Sequence, residues 1–236
     1  MALPPVVALH GAGSAGAIWR DVAATLGAPL HVLDYPGRAG VSGPRRETVA
    51  DLATWVAEEL DRRAVDRAVL VGHSLGGLVS QRLAVTRPER VAAMVLVGTT
   101  AKYRDLPELR ARVREDFAGF VAGFADLVCG PHAGAEVRAF VTATVVEDGP
   151  EVVVSDLRAA GEFDGRAALA EIRCETIVLS AELDAVAPVR FGELLARGVP
   201  GAELRIVEGV GHMLPVEAPS AVVAAIRDVL ARLAPT

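Results

Sequence analysis

Three residues of this 236-residue chain have the types and the order needed for nucleophilic acyl transfer: Ser74, Asp184 and His212. A serine hydroxyl is a weak nucleophile until a base takes its proton, and the base works best when a carboxylate orients it. Ser74 is the centre of Gly72-His73-Ser74-Leu75-Gly76. A triad whose serine sits in such a pentapeptide runs serine, then Asp or Glu, then His along the chain. Beyond Ser74 the only histidines are His132 and His212. His212 lies in the Gly-rich stretch Val207-Glu208-Gly209-Val210-Gly211-His212-Met213, just after the apolar run Glu203–Val207. His132, in Cys129-Gly130-Pro131-His132, falls inside a region of helical pattern with no strand to position it. His212 is therefore the expected base. The acid should end the preceding strand, Thr176–Ser180, which is followed by Ala181-Glu182-Leu183-Asp184. Asp184 is the expected acid, with Glu182 as the alternative.

These side chains need a scaffold to bring them together. Ala68-Val69-Leu70-Val71 before the pentapeptide reads as a buried strand, and Gly77–Ala84 after it as a helix. A strand–turn–helix this tight drives its central residue to positive φ, at a cost of about 1–3 kcal/mol. The flanking glycines let the two elements approach, and the serine is lifted above the sheet end as a nucleophile elbow. An oxyanion hole takes one backbone amide from the residue after the nucleophile, here Leu75, and another from a loop after an early strand. Val6–Leu9 is such a strand, His10-Gly11-Ala12-Gly13-Ser14 follows it, and Ala12 is the expected second donor. His10 precedes Ser74 and is read as a brace for this loop. Strands are expected over 5–9, 30–34, 67–72, 91–97, 175–181 and 203–208. Helices are expected near 16–26, 47–62, 75–86, 188–197 and 217–233. Strands that alternate with helices imply a parallel sheet covered on both faces. Trp19 is expected in the core.

Together, His10-Gly11-Ala12-Gly13, Asp34-Tyr35-Pro36-Gly37-Arg38-Ala39-Gly40-Val41-Ser42, the Ser74 pentapeptide, Glu182-Leu183-Asp184 and Gly211-His212 resemble the α/β-hydrolase superfamily. The resemblance covers about residues 5–232. It implies an α/β fold with a mostly parallel sheet of about six strands flanked by helices, carrying a helical lid. There are two departures. Arg38 and Ala39 stand where the family often places a histidine, and the antiparallel hairpin that usually opens the fold is expected to be missing. The implied organisation is a core over 1–100 and 173–236, with a lid over 101–172. That stretch has no convincing parallel strand and holds five of the six phenylalanines. Phe117, Phe120 and Phe124, spaced three and four apart, share one helix face. They pack the lid on the body or line an apolar substrate pocket, and the two roles can fall to different residues.

The resemblance implies a serine carboxylesterase acting on small to medium esters through an acyl-enzyme. A serine rather than an aspartate at the elbow argues against haloalkane dehalogenases and epoxide hydrolases. The segment Asp156-Leu157-Arg158-Ala159 through Phe163-Asp164 resembles the lid end of enol-lactonases, which makes a lactonase the nearest alternative. A C–C hydrolase, a perhydrolase or a ligand-binding protein of the same fold is a further alternative. No cofactor is expected, since the chain has no Gly-rich phosphate loop and no His/Cys cluster with metal spacing. The expected partner is a small-molecule ester or lactone. A net charge of −6 argues against nucleic acid. No apolar run reaches the roughly 18 residues a membrane span needs, so no stable membrane association is expected. Without a signal-peptide pattern, and with two distant cysteines read as buried reduced thiols, a cytoplasmic location is expected.

Overall fold

The computed structural model describes residues 3–38 and 40–234. Ala39, and the terminal residues of the expected core, lie outside the described residues. The strands are β1 (Val6–Leu9), β2 (Leu30–Leu33), β3 (Ala68–His73), β4 (Val91–Val97), β5 (Glu175–Ala181) and β6 (Glu203–Val207). They form one six-stranded sheet in the order β2-β1-β3-β4-β5-β6, and every pairing is parallel. No antiparallel strand precedes β1 among the described residues. Each strand falls within a residue of its expected position, and the inner strands, covered on both faces, are written as nearly continuous apolar runs. Every residue of β3 and β4 is buried.

Helices cover both faces. The first are α1 (Arg20–Leu26), α2 (Val49–Arg62) and α3 (Leu75–Thr86), and a 3₁₀ turn over Gly16–Trp19 leads into α1. Between β4 and β5 come α4 (Pro107–Glu115), α5 (Phe117–Val128), α6 (Ala135–Asp148) and α7 (Pro150–Glu162). The chain closes with α8 (Val189–Gly198), α9 (Leu214–Glu217) and α10 (Pro219–Leu233). The C-terminal helix expected near 217–233 is α10, and a separate short helix, α9, precedes it. Pro219 cannot donate a backbone hydrogen bond and forces the preceding residue out of helical geometry, leaving Ala218 at φ −140° and ψ 57°.

One core cluster joins Leu70, Leu78, Met94 and Leu96 to Leu52 and Val56 of α2. The other joins Val69, Val71 and Val95 to Trp19, Val22 and the Val222, Ile226 and Val229 face of α10. Trp19 is fully buried, as expected of a core residue. A smaller cluster of Val113, Val145, Val153 and Val154 holds α4, α6 and α7 to one another. Cys129 is buried and Cys174 only half-buried; both are free thiols. His132 is not in a helix. It occupies an exposed turn between α5 and α6, where Gly130 and Pro131 break the helical pattern. Among the described residues, no helix is long and apolar enough to cross a membrane.

Candidate active site

Ser74 sits between β3 and α3 with φ 52° and ψ −114°, a region that residues with side chains rarely enter. Two glycines make the turn possible. A Cβ on Gly72 would come within 2.4 Å of the Gly76 carbonyl oxygen, and one on Gly76 within 2.4 Å of the Leu9 carbonyl oxygen. The elbow is held from both sides of Ser74. Its N–H donates to Val97 O at 3.0 Å, and its carbonyl accepts from Thr99 Oγ1 at 2.7 Å. Ser74 lines the cavity, its side chain beside that of Tyr103.

The loop after β6 brings His212 beside it. His212 Nδ1 lies 2.8 Å from Asp184 Oδ2, and both side chains are buried. The other carboxylate oxygen of Asp184 accepts the Val186 and Ala187 amides at 2.8 and 2.7 Å. Burial works against ionisation of Asp184. The charge and hydrogen bond of the His212 ring, with the two amides, outweigh it and hold the carboxyl below the ordinary carboxylate range. An ionised Asp184 fixes the proton on Nδ1 and leaves Nε2 as the basic nitrogen. Glu182, the alternative acid, is exposed on the turn and accepts the Gly209 amide instead. Among the described residues no hydrogen bond joins Ser74 Oγ to the His212 ring. The two residues line one cavity together with Gly11 and Ala12.

Two residues that hold His212 were not singled out from the sequence. Glu217 accepts the amides of Gly130, Gly211 and Met213 at 2.7, 3.1 and 3.1 Å, which clamps the loop on both sides of the histidine. His73 Nε2 donates to His212 O at 2.9 Å. Burial first, and then the neighbouring His212 ring, pushes the His73 pKa down to about 3, so it is a neutral donor. Its position next to Ser74 was the available signal, whereas Glu217 gave none.

The loop between β1 and the first 3₁₀ turn carries Ala12. His10 is buried beneath it, with Nδ1 2.9 Å from Gly11 O and its ring 4.6 Å from that of Tyr35. It braces the loop, in keeping with the expectation. Gly13, at φ +56°, donates its N–H to Asp156 Oδ2 of α7 at 3.0 Å. The same carboxylate takes both Arg38 terminal nitrogens, at 2.8 and 2.6 Å. Arg38, a departure from the family pattern at the sequence level, therefore links a core loop to a helix inserted between β4 and β5. The Arg38 and Asp156 side chains are 5% and 4% exposed, so the pair is buried. Breaking such a pair from one side typically costs about 3–5 kcal/mol. Asp156→Ala is expected to lose that amount in urea unfolding. A loss under about 1 kcal/mol would mean that the clasp does not hold the helix and the loop together.

The cavity measures about 560 Å³, within the range of small-molecule sites. Its walls come largely from the inserted helices, through Leu109, Phe120, Phe124 and Leu157, and Phe191 of α8 completes them. Phe117, grouped with Phe120 and Phe124 by spacing, is not on the wall. Its ring stacks on Phe120 at 6.4 Å and packs with the Val113, Val145 and Val153 cluster. The next two phenylalanines of the helix reach the cavity. Among the described residues there is no group of three or more His, Cys, Asp or Glu side chains that could hold a metal ion.

Residues 6–226 match the model of the alpha/beta hydrolase family. A pimeloyl-[acyl-carrier protein] methyl ester esterase of Vibrio parahaemolyticus is 26% identical over 226 residues, covering 89% of this chain and 87% of the relative. The structure of a thermophilic esterase from Thermogutta terrifontis aligns with TM-score 0.87 at 26% identity, covering 97% of this chain and 90% of that one. An N-acyl homoserine lactone degrading enzyme aligns with TM-score 0.82 at 27% identity, covering 95% of this chain and 92% of the other. The matched span runs from β1 into α10 and takes in the elbow, the acid turn and the histidine loop, so the chain belongs to the alpha/beta hydrolase family.

Proposed function

We propose that this protein is a serine hydrolase that cleaves small to medium carboxylic esters through an acyl-enzyme. The observation that carries the reading is the buried 2.8 Å contact of Asp184 with His212, the histidine lining the same cavity as the strained Ser74. Ser74 Oγ attacks the ester carbonyl as His212 Nε2 takes its proton, and Asp184 stabilises the imidazolium that forms. The Ala12 and Leu75 amides receive the oxyanion of the tetrahedral intermediate; each such donor is worth about 3 kcal/mol. The intermediate collapses, the alkoxide leaves, and His212 returns the proton to it as an alcohol. Water, deprotonated by His212, then attacks the acyl-enzyme, and the acid and Ser74 are released. Helices α4–α7 act as the lid, and Phe120 and Phe124 contact the acyl or alkyl group. The esterase relatives support this chemistry.

Lactone hydrolysis is the second reading, supported by the likeness to the N-acyl homoserine lactone degrading enzyme. The same steps apply, except that the alcohol remains tethered to the acid. The test is hydrolysis of p-nitrophenyl esters from acetate to dodecanoate beside a γ-lactone series. The expected result is turnover that peaks at short chains, since a cavity of about 560 Å³ confines the acyl group. Turnover of lactones alone would favour the second reading. No turnover of either series would overturn both.

A further inference from the structure

The cavity is apolar along its walls, yet Arg104 and Arg112 are part of its lining. Both are also exposed to solvent, which puts them at its mouth, whereas Ser74 is buried. No carboxylate is among the lining residues, although the chain as a whole carries a net charge of −6. The charged neighbours Asp105 and Arg114 are engaged elsewhere, Asp105 by Arg110 and Arg114 by Glu151. Lys102 Nζ donates to Gly161 O at 2.7 Å. Arg104 and Arg112 make no ion pair among the described residues. Leu106 and Leu109 lie between them in the chain and also line the cavity.

We infer that Arg104 and Arg112 form a subsite for an anionic group at the far end of the substrate. The substrate is then an ester or lactone with an apolar middle and a terminal carboxylate or phosphate. This rests on the hydrolase reading above and specifies its substrate class. The reacting carbonyl sits at Ser74, the apolar stretch crosses the phenylalanine and leucine wall, and the anion meets the guanidinium pair where it keeps part of its hydration. Guanidinium forks suit carboxylate and phosphate oxygens alike.

The test compares monomethyl hemiesters of C4–C10 dicarboxylic acids with the matching dimethyl diesters. A methyl ester bearing a terminal phosphate is the third arm. Wild type is expected to favour the anionic esters at least tenfold in kcat/KM, chiefly through KM, and 0.5 M NaCl should erode the preference. The double variant Arg104→Met/Arg112→Met keeps the apolar stems and removes the charges. It should lower the hemiester-to-diester ratio at least tenfold, equivalent to about 1.4 kcal/mol, while Arg104→Lys/Arg112→Lys restores part of it. A better carboxylate than phosphate substrate, or the reverse, names the anion. An unchanged ratio with both ester types still hydrolysed overturns this inference and leaves the hydrolase reading intact. If no ester is hydrolysed, calorimetry of the C6 hemiester with Ser74→Ala protein decides: binding lost in the arginine variant supports the subsite, and equal or absent binding overturns it.

Discussion

Ser74→Ala is expected to lower ester hydrolysis by about 10⁴-fold or more while leaving the fold intact. Removing the nucleophile of such a triad leaves only the catalysis that binding and the oxyanion donors supply. The conformation of Ser74 makes the outcome diagnostic. At φ 52° the residue carries strain, of order 1–3 kcal/mol, and its hydroxyl meets the Tyr103 side chain. Alanine keeps the Cβ and hence the strain and loses only the Tyr103 contact, so its melting temperature should stay close to wild type. Ser74→Gly removes the Cβ and should melt higher, with activity equally lost. A serine kept for packing would behave the other way round, with Ala retaining activity and Gly destabilising the turn. Circular dichroism melts beside p-nitrophenyl acetate turnover check both halves. Retained turnover in the alanine variant would remove Ser74 from the mechanism.

How much could be read from the chain depends on how local each feature is. The inner strands were legible because a parallel strand buried on both faces leaves a nearly unbroken apolar run, as in Val91–Val97, whereas the edge strands Leu30–Leu33 and Glu203–Val207 are partly buried and mix polar with apolar residues. The elbow was legible because its glycines and serine are adjacent and sterically required. The positions of Asp184 and His212 followed from the strands that precede them. Features that depend on distant partners left no local mark. Asp156 meets Arg38 across 118 positions, and Glu217 meets Gly130 across 87. In each case an acidic residue on a helix looks like any solvated one. Periodicity placed Phe117 on a face with Phe120 and Phe124, but a face is wider than a cavity wall, and of the three rings Phe120 and Phe124 line it. Turn chemistry accounts for the rest. Gly130-Pro131 ended the helical pattern around His132 that composition alone would have continued.

Asp184→Asn carries the second large effect, and the structure fixes its sign. Asp184 Oδ1 is committed to the Val186 and Ala187 amides, which only an oxygen can accept. In the asparagine variant the amide oxygen therefore takes that side, and the NH₂ group faces His212 Nδ1. A donor opposite Nδ1 demands a lone pair there, which moves the ring proton to Nε2. The nitrogen that should accept the Ser74 proton is then already protonated, and the imidazolium loses its counter-charge. Both consequences lower kcat, together by about 10⁴-fold, with KM little changed because Asp184 is not on the cavity wall. Glu182→Gln is the matched control. It alters a carboxylate two residues away that touches the Gly209 amide and not the imidazole, so turnover should stay within about threefold, since surface changes of this kind are worth about 0.5 kcal/mol or less. Steady-state kinetics on a short-chain ester separates the cases. Equal losses in the two variants would show that the β5–α8 turn acts through its shape. A loss confined to Asp184→Asn would show that one carboxylate orients the base.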